Sequence, residues 1–221
     1  WQVSGAGSIL RFPNLTTIEN TTSTDRRVFI RAEGGGRLDM PLVSSMNAAS
    51  GGNSSIEVRA SGAGSRIDLP ELRSFIDVSS GSLDAGLPWS PSALYSRLEA
   101  LSEGIVSLGN VKTVQGVYVP LNASSTINLT TIEALTYSLI DINRAADFGL
   151  MVNATGTTFN VNGHSVNLSL LSQVAGTNIY VSGSVETVLP SVRSLLNDQG
   201  HMAWQVSGAG SILRFPNLTT I

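Results

Sequence analysis

A charged side chain recurs between two apolar ones in Leu10-Arg11-Phe12, Leu38-Asp39-Met40 and Ile67-Asp68-Leu69, and Arg37 and Arg66 stand two positions ahead of the two aspartates. The same slot reads on as Ser107, Asn128 and Asn167. If these segments are strands stacked in register, the slot lies on one outer surface and Asp39 and Asp68 become neighbours. A pair of carboxylates flanking a glycosidic bond can divide the acid and base roles of its hydrolysis. Like charges one strand apart repel, however, and the flanking arginines would compensate them. The reading adopted is therefore a partly compensated surface ladder and a chain that is not an enzyme, with no catalytic, cofactor-binding or metal-binding residue. A polysaccharide-cleaving solenoid is the lesser alternative.

The other candidates for chemistry are sparse. His164 lies in the turn-like VNGHS and His201 in DQGHM, and neither has a spaced set of His, Asp or Glu that would hold zinc or build a Ser-His-Asp triad. The Gly-rich SGAGS and EGGG lack the Gly-Lys-Ser/Thr continuation of a phosphate loop and read as corners. Trp89 and Tyr95 fall in a stretch that interrupts the pattern and are candidate lateral or ligand contacts, the basis of an alternative reading as a carbohydrate-binding adhesin. Eight Asn-x-Ser/Thr sequons are possible N-glycosylation sites: Asn14, Asn20, Asn53, Asn122, Asn128, Asn153, Asn167 and Asn217. A glycan acceptor must be exposed, which the outward or corner slots of Asn14, Asn128 and Asn167 allow.

The elements that would position these residues announce themselves by repetition. The pattern apolar-x-apolar-x-x-apolar-x-x-apolar runs through Leu10, Phe12, Leu15, Ile18; Leu38, Met40, Val43, Met46; Ile67, Leu69, Leu72, Phe75; Val106, Leu108, Val111, Val114; Ile127, Leu129, Ile132, Leu135; and Val166, Leu168, Leu171, Val174. A weaker copy has Thr187 in the first slot before Leu189, Val192 and Leu195, and Leu213 opens another. Most copies follow a short alternating segment, such as Val28-Phe29-Ile30 or Ile56-Glu57-Val58, and a turn of small residues. Period-two alternation marks strands with one buried face. Pro13, Pro41, Pro70, Pro190 and Pro216 mark a further corner, since proline has no N–H to give a ladder. Most copies are 21 to 29 residues apart, with two intervals near 39. A unit that short cannot bury its apolar face alone and must stack on its neighbours.

A longer repeat encloses the short one. WQVSGAGSILRFPNLTTI, residues 1–18, recurs letter for letter as residues 204–221, a period of 203. Residues 1–203 read as one solenoid unit and 204–221 as the start of the next identical one, with an insertion over 76–97 and an irregular coil over 136–165 built around Leu139, Ile142, Phe148, Leu150 and Val152. The expected architecture is all-β: a single-stranded parallel β-solenoid, right-handed by preference, with about seven to eight coils per 203 residues and uncapped ends. A chain opening on Trp inside an apolar repeat reads as a fragment or mature segment whose targeting signal lies elsewhere.

Composition narrows the function classes. Only 13% of residues are charged and the net charge is −3, so there is no basic field for nucleic acid. Lys112 is the lone lysine, and there is no cysteine for disulfides or thiolate metal sites. No apolar run approaches the ~20 residues that span a bilayer.

The phrases SGAGSRIDLPELRSF and NASSTINLTTIEAL resemble the parallel β-solenoid segments of large secreted microbial surface, filament and adhesin proteins. That resemblance implies a structural or adhesive role outside the cell. PNLTTI is similar to leucine-rich-repeat ectodomains, but the Gly-rich turns and missing cysteines differ from them. Neither the calcium-binding nonapeptide nor pentapeptide repeats are present. The expected function is a structural subunit or tandem unit of an extracellular fibre, sheath or stalk that needs no cofactor and propagates by end-to-end stacking. Its expected partners are copies of itself, with glycans or neighbouring fibres in addition.

Overall fold

The computed structural model describes residues 1–21, 26–48, 54–78, 96–124, 126–195 and 202–221. Among these, every regular element is a β-strand. Gln2–Ser4, Arg27–Glu33, Ser55–Ser61, Ser96–Leu101, Val117–Leu121, Leu139–Ile142, Thr158–Asn162, Asn178–Ser182 and Trp204–Val206 form one nine-stranded sheet, and their order in space is their order in the chain. A second sheet stacks Ile9–Arg11, Arg37–Asp39, Arg66–Leu69, Ile105–Leu108 and Thr126–Ile127; a third stacks Thr17–Asn20, Ser45–Ala48, Ser74–Asp77, Thr113–Gln115 and Ala134–Thr136. The pairings are parallel throughout. Each coil thus visits three faces in turn before the next is laid on it, which is a parallel β-solenoid.

Further along, the second and third faces thin to the pairs Ala146–Asp147 with Val166–Asn167 and Glu186–Val188 with Ile212–Arg214, and to single bridges Ala134–Asn153, Asn153–Gln173 and Ser194–Thr220. The nine-stranded sheet alone runs unbroken from the first coil to the last.

The corners follow from residue type. Between the first and second strands of a coil the chain turns through glycines at positive φ, Gly5 at 91° and Gly7 at 81°, a region closed to most side chains. At the next corner the amides of Leu15, Val43 and Leu72 donate to the carbonyls of Phe12, Met40 and Leu69 at 3.3–3.4 Å. Pro13, Pro41 and Pro70 occupy the second position of those four-residue turns, where their fixed φ fits and no donor is needed.

The core is a set of columns running along the stack. Leu10, Leu38, Ile67, Val106 and Ile127 are register partners on the second face, and Ile18, Met46, Phe75, Val114 and Leu135 on the third. Except for the partly buried Leu10, all of these are buried. Apolar side chains stacked above and below one another are how a unit of so few residues acquires a buried interior.

Residues 136–165 depart from the expected single irregular coil. They contain the strands Leu139–Ile142 and Thr158–Asn162, two successive members of the nine-stranded sheet. Leu150 and Val152, expected in the core, are 46% and 40% exposed; Phe148 is buried as expected, and Met151 and Ala154 are buried in place of the other two. After the second strand the chain turns inward every third residue, as at Leu168, Leu171 and Val174, so the step from Phe148 lands on Met151 and Ala154. The expected insertion keeps strand residues at both ends: Ile76 and Asp77 close the third coil, and Ser96 and Arg97 open the fourth. The buried Asp77 carboxylate accepts the Ser96 amide at 2.9 Å and so draws those ends together.

Candidate functional site

The charged slot is built by the second sheet. Register places Arg11 beside Asp39, Asp39 beside Asp68 and Asp68 beside Ser107, with Arg37 beside Arg66 on the same surface. Asp39 accepts from Arg11 Nε at 3.2 Å and Arg37 Nε at 2.5 Å; Asp68 accepts from Arg66 Nε at 2.6 Å and forms an ion pair with Arg37 Nη2 at 3.0 Å. Two carboxylates therefore alternate with three guanidiniums, and Arg37 bridges both. Hydrogen bonding to Asp39, and then the charges of Asp39 and Asp68, raise the Arg37 pKa further above its ordinary value. The ladder lines a groove of about 430 Å³ together with Pro13, Pro41, Pro70 and Met40. The carboxylate side chains are 15% and 14% exposed, while the Arg37 and Arg66 side chains are 47% and 41% exposed. Chemically this arrangement neutralises charge and holds neighbouring coils in register. Each of these carboxylates is turned toward two arginines.

The slot continues differently from the sequence expectation. Asn167 pairs with Asp147, to which its Nδ2 donates at 2.8 Å; the coil that contributes Asp147 was passed over in the repeat pattern. Its signal is Ala146-Asp147-Phe148, the same apolar-charged-apolar phrase with a small first residue. A second polar cluster, also missed, lies on the outer face of the nine-stranded sheet. Tyr118 Oη donates to Asp141 Oδ2 at 2.6 Å, Asn160 Nδ2 donates to Asp141 Oδ1 at 2.7 Å, and the Arg97 guanidinium lies 4.9 Å from the Tyr118 ring centroid. Burial first, then the hydrogen bond to Asp141, push the Tyr118 pKa up.

The sequons are placed unequally. Asn14, Asn128, Asn167 and Asn217 are exposed, and Asn122 and Asn153 are half-buried. Asn128 Oδ1 accepts the backbone and hydroxyl of Thr130, and Asn153 Oδ1 does the same with Thr155. Asn20 is different. It is buried, and its Nδ2 donates to Arg26 O at 2.7 Å and Ser55 O at 3.1 Å, so the nitrogen that would carry a glycan holds three coils together. Asn53, Trp89, Tyr95 and His201 lie outside the described residues. His164 is exposed in its turn.

The exact repeat forms a joint of its own. Residues 204–221 sit on the coil before them in parallel register, Ile179 beside Trp204 and Thr187 beside Leu213. Arg214 Nε reaches Glu186 Oε1 at 2.5 Å, Asn217 Nδ2 donates to Pro190 O at 2.8 Å, and Trp204 Nε1 donates to Thr177 O at 2.9 Å. Glu186, which the sequence reading did not single out, occupies the slot held by Arg37 two residues before Asp39. The two copies of the repeat share their corner: Gly208 and Gly210 have φ of 84° and 79°, close to Gly5 and Gly7; the rings differ, with Trp204 stacked on Phe215 at 4.2 Å and 11° and Trp1 tilted by 37° against Phe12 at 4.6 Å.

Among the described residues no group of three His, Cys, Asp or Glu side chains could share a metal ion, and no helix is long and apolar enough to cross a membrane. No family model, curated protein or solved structure matches this chain. Fold and site together define a parallel β-solenoid with a charge-paired face and a coil that occurs twice.

Proposed function

We propose that this chain is a structural repeat unit of an extracellular fibre, sheath or cell-surface stalk that lengthens by end-to-end stacking of its coils. The coil that occurs twice carries the reading. As residues 1–18 it pairs one side with residues 26–48, and as residues 204–221 it pairs the opposite side with residues 178–195. One sequence in one conformation thus has a partner on each side, and repeating the two placements generates a stack of no set length. The arginine in that coil fits the same scheme: it meets Asp39 on one side and Glu186 on the other.

A place outside the cell is supported by the exposed sequon asparagines Asn14, Asn128, Asn167 and Asn217, with Asn20 withdrawn from that set by its burial. Neighbouring fibres or glycans would then meet the polar outer faces. Negative-stain microscopy of the purified chain over a range of concentrations tests the proposal. Eight strands of the large sheet per 203 residues, at about 4.8 Å each, give an expected axial repeat of about 38 Å. Particles that stay separate at every concentration would refute it.

A further inference from the structure

The sequence contains one Asn-Gly pair, Asn162-Gly163, and the fold sets it on an exposed corner at the end of the strand Thr158–Asn162. We propose that this pair is a self-modification site, held unreactive by the coils on either side of it and converted to aspartate or isoaspartate when they part. An asparagine side chain is open to attack by the backbone nitrogen that follows it, most of all where that nitrogen belongs to glycine, which has no side chain to obstruct the approach. The Gly163 nitrogen, on losing its proton, bonds to Asn162 Cγ; the Cγ–Nδ2 bond breaks and Nδ2 leaves as ammonia. Water then opens the cyclic imide at either of its two carbonyls, and a carboxylate takes the place of the amide. Water is the one co-reactant, and nothing is oxidised or reduced.

Both reacting groups are occupied in the closed stack. Gly163 N donates to Ser182 O at 2.8 Å on the coil that follows, and Asn162 Nδ2 donates to Asn143 Oδ1 at 2.9 Å on the coil before. Attack requires the Gly163 amide to give up its bond and turn toward Cγ, and the Asn162 side chain to leave Asn143. Ser182 Oγ adds a contact to Asn162 Oδ1 at 3.5 Å. Leu139–Ile142, Thr158–Asn162 and Asn178–Ser182 each have a strand of this chain on both sides in the nine-stranded sheet, so the corner is the same whether the unit stands alone or within a longer stack.

The labile pair is also one that the packing requires. Gly163 has φ of 73°, and a Cβ on it would stand 3.2 Å from Gly183 O; a Cβ on Gly183, whose φ is 78°, would stand 2.6 Å from Gly163 Cα and 2.8 Å from its nitrogen. Two backbones touch here, and glycine is the residue that fits at both positions. Modification is irreversible. The isoaspartate route adds a carbon to the backbone just where Gly163 must meet Ser182, and either product removes the donor to Asn143 Oδ1. A corner that has stayed open long enough to react cannot reclose as before, and it carries a permanent record of the opening.

Peptide mapping by mass spectrometry of the full chain, incubated at neutral pH in buffer and in denaturing urea, tests this. Conversion at Asn162 is expected in urea and to be about tenfold or more slower in buffer, tenfold being the factor for an opening that costs about 1.4 kcal/mol. Gly183→Ala presses on Gly163 without changing either reacting residue and is expected to raise the rate in buffer several-fold. Asn143→Ala frees the Asn162 amide and is expected to raise it as well. Circular dichroism shows whether Gly183→Ala folds; if it does not, Asn143→Ala decides. Equal rates in buffer and urea would overturn the proposal, as would an absence of conversion in urea. A folded Gly183→Ala, or failing that Asn143→Ala, that converts no faster than the parent chain also overturns it. Stacking is read separately by microscopy and is untouched by any of these results.

Discussion

Leu38→Ala tests whether this stack behaves as a chain of neighbours or as one body. Leu38 is fully buried on the second face, with Leu10 and Ile67 as its register partners along the column. Truncating a buried leucine to alanine destabilises by about 2–5 kcal/mol, less where the surroundings can close the gap. Leu10 is only partly buried, so it can settle toward the gap, which places the expected loss at about 2–3 kcal/mol. In a solenoid, stability is a sum of coil and nearest-neighbour contributions, and residues 1–18 are held through residues 26–48. The loss is expected to stay local and to open residues 1–48 together. Hydrogen exchange read by mass spectrometry checks this. Amides of Arg27–Glu33, Arg37–Asp39 and Ser45–Ala48 should exchange about 30- to 150-fold faster, the factor that 2–3 kcal/mol implies. Those of Thr158–Asn162 and Asn178–Ser182 should be unchanged. An equal acceleration in the far strands would show that the coils open as a single cooperative unit and would refute the nearest-neighbour reasoning.

Two further outcomes are expected. Asn20→Ala should lower stability by about 1–3 kcal/mol, because the carbonyls of Arg26 and Ser55 each lose a donor; a chemical denaturation curve measures it, and peptide mapping of the protein from its native source should find Asn20 bare. Tyr118 has its pKa raised in the folded chain, so above about pH 10 the unfolded state ionises first and stability falls as pH rises, while below that pH the contribution is constant. Melting temperatures followed through that range should fall more steeply for the parent chain than for Tyr118→Phe; parallel curves would remove Tyr118 as the cause.

The columns of the core were legible because burial repeats faithfully with the pattern: Ile67, Leu69, Leu72 and Phe75 are all buried, as are Val106, Leu108, Val111 and Val114. The pattern lost its reach where a small or polar residue fills an inward slot. Ala146 is such a case, and with it the coil that carries Asp147 went unseen. Thr187 is another: fully buried at an apolar slot, it marks a coil that the pattern graded as weak although it stacks as the others do. Leu150 and Val152 show the converse error, since hydrophobicity alone cannot say which of several adjacent apolar residues turns inward. The sequon at Asn20 matches its motif as well as Asn14 does, and only the placement of Arg26 and Ser55 around its amide separates the two.

What the sequence determined by itself is the rhythm: strands of alternating character, glycine and proline corners, and one 18-residue phrase returning after 203 residues. These are local properties, set by steric limits on φ and by which face of a short strand must leave water. Tertiary structure decided the partners. That Arg37 lies between Asp39 and Asp68, that Tyr118 meets Asp141, and that Glu186 waits beneath Arg214 all depend on how many residues each coil spends between its corners. A difference of one residue there moves every side chain of the next strand to the other face, and no local pattern records it.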